Sequence, residues 1–580
     1  MRGWRFDLGV LLGGWALFVL LYPPPPFFWL DFSWVVYNLL PLPLTPAGMS
    51  EAIQWAATTQ APSRVRPVRA VEWWLAVKAL GCGPLGYYVM NVLAGGLAVW
   101  AVTRVAVWLR ASRTVGLLTG VCFAVSYASG YFILRFGFGL AAAAAFIALA
   151  GSFRAEDLEG IRRRCLMAAG GLLLLLAALS HETFLALALV PLAHAAIVRR
   201  DRSAVLRALA LVAVLPVYAV SRQLQAAVYG SAPSLVGGIV SAVAKSPGIL
   251  METPGRVFFT VLTGGLPLDP VRALPYFPEF ARIRELILSP AGLLTLAAVA
   301  VPAGGLTALG LRAAWRSADG RRRLGFYLVW LGLGSVPLML PVATPEVFHL
   351  TGALPALFLL WTEGLAFQPT RARAVTVAGG VLLVAWIGVH GAATWVLFHR
   401  DLPTMGGAVR ALHRVLAQAQ VEGHRANILF FPAQVGGHYG MMPTVTALYP
   451  AGPGAGSACL RGDQPQGCLV EPVWVWSALR PWPRLPAACR ARDGIRVGPL
   501  SPAVVTLLEG SRRLLAQPTA SLLKERDPRI LGACPLAGIE PALDGAAPYL
   551  LYRAEVSPST RWYRFSLESG PELIPLADCK

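Results

Sequence analysis

Apolar stretches recur through the first 400 residues, and clusters of arginine fall in every second gap between them. About eleven stretches approach the roughly 20 apolar residues that a spanning helix needs. They lie near 8–22, 85–109, 114–133, 137–153, 166–180, 183–198, 204–221, 288–311, 324–342, 349–366 and 374–396. Arg2 and Arg5 precede the first, and Arg110 and Arg113 follow the second. Next come Arg154 with Arg162, Arg163 and Arg164, then Arg199, Arg200 and Arg202. Arg312, Arg316, Arg321, Arg322 and Arg323 form the next cluster, and Arg371 and Arg373 the last. Basic loops on one side are what the positive-inside rule demands. The alternation predicts a membrane all-α protein of about eleven transmembrane helices with a cytoplasmic N-terminus. With eleven spans the C-terminus lies outside; ten or twelve spans are the alternatives.

Composition agrees. The 580 residues are 56% hydrophobic and only 14% charged, too apolar for a soluble chain of this length. The net charge of +20 would suit nucleic acid, but its distribution serves topology, so no nucleic-acid partner is expected. The first apolar stretch reads as a retained span, because Tyr22 and Pro23 to Pro26 follow it without a small-residue cleavage site.

Two domains are expected. Residues 1–397 form the polytopic part, with outer loops at about 23–84 and 222–287. The first loop holds MSEAIQWAATTQ and VEWWLAVKAL, which read as helices lying at the membrane interface, with Trp73 and Trp74 as interfacial anchors. Residues 398–580 are richer in charge and proline and read as a soluble extracytoplasmic α/β domain. Helices are expected there near 404–420 and 502–517, and strands at NILFFP, PYLLYRAEV and RWYRFSLE. Six of the eight cysteines, Cys82, Cys459, Cys468, Cys489, Cys534 and Cys579, fall on the outer side, where an oxidising compartment permits disulfides. Cys459 and Cys468 flank a short polar loop and are the best pair, with free thiols as the alternative. No metal or other cofactor is expected: acids are too few, and His399, His413, His424 and His438 too dispersed, for a metal site.

The chemistry-bearing residues concentrate on the outer side. Asp31 lies among Phe27, Phe28, Trp29, Phe32 and Trp34, where partial desolvation raises the basicity of a carboxylate. Farther along come Arg66-Pro67-Val68-Arg69, then Glu72, then Gly81, Pro84, Gly86, Tyr87 and Asn91 at the opening of the second span. Ser180-His181-Glu182 ends the fifth span, with Pro191 beyond it, and Arg135 stands in RFGFG between the third and fourth.

In this order and on one face, these elements resemble the GT-C superfamily of polytopic glycosyltransferases, and most of all its protein O-mannosyltransferase-like group. The resemblance covers roughly residues 1–400. It implies transfer of a sugar from a polyprenyl-phosphate carrier to an extracytoplasmic acceptor, with inversion, at a bacterial-type inner membrane. It makes Asp31 the base near the attacking hydroxyl. It makes Arg66, Arg69, Arg135 and Arg256 the cations for the lipid phosphate. His181 would donate to that phosphate, and Glu182 would orient it or an arginine.

Two features depart from the pattern: Asp31 is followed by Phe32 instead of a second acid, and RFGFG carries no acid. They support the alternative of an inactive structural or assembly subunit in a membrane complex. Several single residues also admit a purely structural role. Arg66 and Arg69 would meet lipid headgroups, and His181 and Glu182 would cap a helix hairpin. His194 and His390, inside spans, are expected to be neutral and hydrogen-bonded. Glu346 and His349 flank the start of the tenth span and are minor site candidates.

Overall fold

A computed structural model describes residues 3–24, 42–59, 66–81, 84–110, 112–134, 137–229, 260–266, 290–339, 347–366 and 373–401. It also describes the strand segments 425–430, 472–474, 495–496, 552–553, 560–566 and 570–574, and the single positions 35, 39, 257, 403, 407, 411 and 414. The chain divides into two compact units. The first comprises Met1–Pro24, Leu39–Pro270 and Leu286–His399; the second comprises Pro25–Asn38, Val271–Glu285 and Arg400–Lys580.

The first unit is helical. Its elements are α1 (Gly3–Leu21), α2 (Pro46–Thr59), α3 (Pro67–Leu80), α4 (Pro84–Arg110), α5 (Arg113–Val125), α6 (Tyr127–Leu134), α7 (Phe138–Ala155) and α8 (Gly160–Ser180). A helix of mixed pitch follows, α9 (Glu182–Arg199), opening as 3-10 and closing as a π turn. Then come α10 (Arg202–Val212), α11 (Val214–Tyr229), α12 (Pro290–Trp315), α13 (Ala318–Met339), α14 (Leu354–Ala366) and α15 (Arg373–Trp395). Short polar side chains set the joints. Ser112 accepts the Val115 amide at the start of α5, and Asp201 accepts the Ser203 and Ala204 amides at the start of α10.

Among the described residues eight helices are long and apolar enough to cross a membrane. Eight of the eleven expected spans fall on them. The remaining three differ for physical reasons. The stretch 114–133 is broken at Ser126 into α5 and α6, of 13 and 8 residues. The stretch 349–366 is a 3-10 turn, Val347–Gly352, followed by the 13-residue α14. Of the stretch 324–342, the described residues 324–339 lie on α13, whose first turns carry Asp319, Arg321, Arg322 and Arg323.

The break at Ser126 is held from within the unit. The Tyr127 amide donates to Nδ1 of His390 at 3.0 Å, and the imidazole stacks on Trp386 with ring centroids 4.0 Å apart. Because Nδ1 accepts, this neutral ring carries its proton on Nε2. His194, the second intramembrane histidine, lies 3.3 Å from Glu156 through Nδ1. Replacing His390 with leucine removes a buried acceptor and is expected to destabilise by about 1–3 kcal/mol. The check is thermal unfolding of the variant in detergent, and an unchanged melting temperature would show that the break does not depend on the ring.

In the second unit, β1 (Arg425–Phe430) pairs in parallel with β2 (Pro472–Trp474) and with β5 (Thr560–Ser566). Strand β6 (Gly570–Ile574) runs antiparallel to β5, giving the order β2-β1-β5-β6. Two short strands, β3 (Ile495–Arg496) and β4 (Tyr552–Arg553), form a separate antiparallel pair. Of the helix expected near 404–420, positions 407, 411 and 414 are described, and all three are helical. The helix expected near 502–517 lies outside the described residues. Cys122 and Cys165 are free, while the six cysteines expected on the outer side also lie outside the described residues.

Candidate functional site

Helix α3 delivers most of the cluster. Pro67 occupies its first turn, where a missing N–H is harmless and the fixed φ suits a helix. Arg69, Ala70, Trp73, Trp74 and Val77 are buried, a helical stripe packed inside the protein. That placement corrects one expectation: Trp73 and Trp74 are core residues, 3% and 5% exposed, not anchors in the headgroup layer. Arg66 and Arg69 are buried with them instead of facing lipid headgroups.

Arg66 precedes the helix and reaches across to α9. Its Nε donates to Oε2 of Glu182 at 2.8 Å and its Nη2 to Oε1 at 2.7 Å, a two-pronged guanidinium–carboxylate pair. Arg69 lies with its guanidinium carbon 4.3 Å from the centre of the Trp73 ring. On the next turn, Glu72 accepts a hydrogen bond through Oε2 from Ser180 Oγ, at 2.9 Å. The RP element and the Ser180-His181-Glu182 element are therefore tied twice.

His181 sits in extended backbone between α8 and α9, 1% exposed, where the chain reverses. Its Nδ1 accepts the Thr183 amide at 3.4 Å, so it does cap the start of α9. Thr183 Oγ1 is 2.7 Å from Nδ1 of His349, and the two imidazole centroids are 5.7 Å apart. Phe138 stands edge-on to His181 at 5.0 Å. Gly137, with φ of 77°, closes the site beside α3; a Cβ there would stand 3.1 Å from Trp73 Nε1 and 3.4 Å from Glu72 Oε2. Both the left-handed backbone and the narrow clearance favour glycine.

The electrostatics are uneven. Burial drives the His181 pKa well below its usual value, and the Arg66 charge adds to that, so the ring is neutral. Burial pushes the Glu72 carboxyl up to about 7, against the opposing pull of the Ser180 hydrogen bond and the Arg69 charge. Glu72 lies on α3, which is not one of the candidate spans.

Of the expected site residues, the structure brings together Arg66, Arg69, His181 and Glu182. Asp31, Arg135 and Arg256 lie outside the described residues, as does Glu346. Glu72, Ser180 and Thr183 join the cluster; the first two stand in or beside the quoted elements but carry no assigned role there. The signal that points to Glu72 is its position three residues after Arg69 on a helix, which places both side chains on one face. Further residues of the resemblance serve structure: Tyr87 donates to the Gly81 carbonyl at 2.7 Å, and Asn91 Nδ2 donates to the Ile133 carbonyl at 3.2 Å.

Chemically, the cluster brings together two guanidinium groups, two carboxyl groups and two imidazoles, with both arginines and both histidines buried. Among the described residues no three His, Cys, Asp or Glu side chains converge as a metal site. No protein-family model matches this chain, and no curated protein matches it.

Proposed function

We propose that this chain is a GT-C-type membrane glycosyltransferase, moving a sugar from a polyprenyl-phosphate carrier to an extracytoplasmic acceptor. One observation carries the reading. The two elements that bear the resemblance, 116 residues apart, meet as a cationic and acidic cluster through Arg66–Glu182 and Ser180–Glu72. In this reading Asp31 takes the proton of the attacking hydroxyl. Arg69, Arg135 and Arg256 receive the carrier phosphate, and Arg66 joins them where a phosphate competes with Glu182 for its guanidinium fork.

The reading has a topological frame. Eleven spans put the N-terminus in the cytoplasm and residues 398–580 outside, as an α/β domain with a Cys459–Cys468 disulfide, at a bacterial-type inner membrane. Lipid and the carrier are then its obligatory partners.

The test is sugar transfer by purified protein in lipid from a panel of polyprenyl-phosphate sugars, with Asp31→Asn alongside. Loss of a general base is expected to slow transfer about 10²–10⁴-fold. Equal turnover by parent and variant would keep the transferase and discard Asp31 as the base. No turnover by either, with membrane proteins copurifying, would favour a second reading: an inactive structural or assembly subunit. That reading draws on the same cluster, because Arg66 and Glu182 satisfy each other and Ser180 satisfies one oxygen of Glu72.

A further inference from the structure

Glu72 is an acid under the charge of Arg69, on a 14-residue helix too short to count among the candidate spans. It stands one turn beyond Arg69 on α3, whose head carries Arg66, and it stays half-buried, not enclosed. From α8 and α9 it faces Ser180, and near it His181 and Glu182, the latter engaged by Arg66. Helix α2 contributes one charged side chain, Glu51, which is exposed, and the first three turns of α4 carry none. Gly137 presents no side chain toward its Oε2.

A carboxyl under the charge of a guanidinium fits a particular task in transfer from a phosphate carrier. The carrier leaves as an anion, and a neutral carboxylic acid next to the cations that hold it supplies a proton where negative charge develops. We propose that Glu72 is the general acid that protonates the departing carrier phosphate, an inference that rests on the transferase reading above. The acceptor hydroxyl oxygen bonds to the anomeric carbon as the bond from that carbon to the phosphate oxygen breaks. The electron pair of the broken bond stays on the phosphate oxygen, which takes the Glu72 proton. The hydroxyl proton goes to the general base of the transferase reading. Glu72 is left as a carboxylate and is reprotonated from water. The upward displacement of its pKa to about 7 by burial keeps a substantial protonated fraction at neutral pH.

The test is the pH profile of transfer by the parent and by Glu72→Gln, which keeps the size and the acceptor oxygen for Ser180 but cannot titrate. The parent is expected to lose kcat as pH rises through about 7, the direction set by loss of the proton. The variant is expected to be slower by about 10²-fold near pH 6 and to lack that alkaline fall, with the donor KM little changed. Infrared difference spectra of both proteins give a second readout independent of turnover: a protonated-carboxyl band that titrates near neutral pH in the parent and is missing from the variant. Matching kcat values and profiles would overturn the inference while leaving the transferase intact. So would an equal loss at every pH with the alkaline fall retained, which marks Glu72 as a positioning residue for Arg69 and Ser180. No transfer by the parent from any donor overturns the transferase reading, and this inference falls with it.

Discussion

Replacing Glu363 with alanine is expected to destabilise the helical unit on the order of 3–5 kcal/mol, a large part of a typical folding free energy. Glu363 is 2% exposed, in α14. Its Oε1 is 2.8 Å from Arg110 Nη1 and 2.9 Å from Arg323 Nε, and it accepts the Tyr327 hydroxyl at 3.1 Å. The carboxylate thus joins the end of α4, the start of α13 and the end of α14. Removing it leaves two guanidinium groups close together with their shared counter-charge gone. The mutual repulsion adds to the desolvation of the Arg110 side chain, only 5% exposed. Thermal unfolding in detergent and the yield of folded protein are the measurements. Glu363→Gln separates the charge from the shape: it keeps an acceptor for Tyr327, so it is expected to lose most of the same stability through charge alone. A melting temperature within a degree or two of the parent for both variants would show that the triad does not hold these helices.

The second large effect is expected at the candidate site. Glu182→Ala strips the carboxylate from Arg66, whose side chain is 9% exposed, and is expected to destabilise by about 2–4 kcal/mol. The figure lies below that for Glu363 because the Glu182 side chain is 28% exposed, so water reaches the Arg66 charge more readily. A double-mutant cycle isolates the pair. Arg66→Met combined with Glu182→Ala removes both charges, and the double variant is expected to be more stable than Glu182→Ala alone. If the single and double losses simply add, the pair contributes no coupling and the two elements are joined by packing alone.

Both predictions concern charged residues whose positions are legible in the sequence and whose partners are not. The arginines of the basic loops read as topology, since a charge in a loop reports on which side it stays. Arg110 and Arg323 read as loop charges in this way, yet they close on Glu363 from residues far away along the chain. The site shows the same limit. Arg66, Arg69, His181 and Glu182 are legible as candidates, because polar groups placed between apolar stretches stand out. The pairing of Arg66 with Glu182 is not, because nothing local to either residue encodes a contact across 116 positions. Glu72 is visible in the sequence, but its raised pKa depends on the burial that α3 and α8 produce together. Trp73 and Trp74 escape sequence reading for a related reason: an amphipathic stretch with tryptophans looks the same whether it meets lipid or protein.

The span count divides in the same way. Where an apolar run is long enough, helix formation follows locally, because unsatisfied backbone groups are intolerable in a hydrocarbon medium. Eight expected spans meet that condition by length and composition. The run 114–133 does as well in composition, and only the fold reveals its break, where the Tyr127 amide has the His390 imidazole as a partner. A similar tertiary choice sits in the glycines. Gly95 and Gly96 of α4 face Phe18 and Trp15 of α1, and Gly310 of α12 faces the Leu360 carbonyl of α14. A Cβ at any of these would collide, so they set how closely the helices approach. The order of residues alone is enough to make this a helical membrane protein, to mark which stretches are apolar enough to span, and to locate its candidate chemistry along the chain. Packing in three dimensions selects which charges neutralise each other, which helices break and which acid acquires an unusual proton affinity. The difference is one of range: hydropathy and charge act through the local solvent, whereas pairing and desolvation depend on what distant parts of the chain bring within a few ångströms.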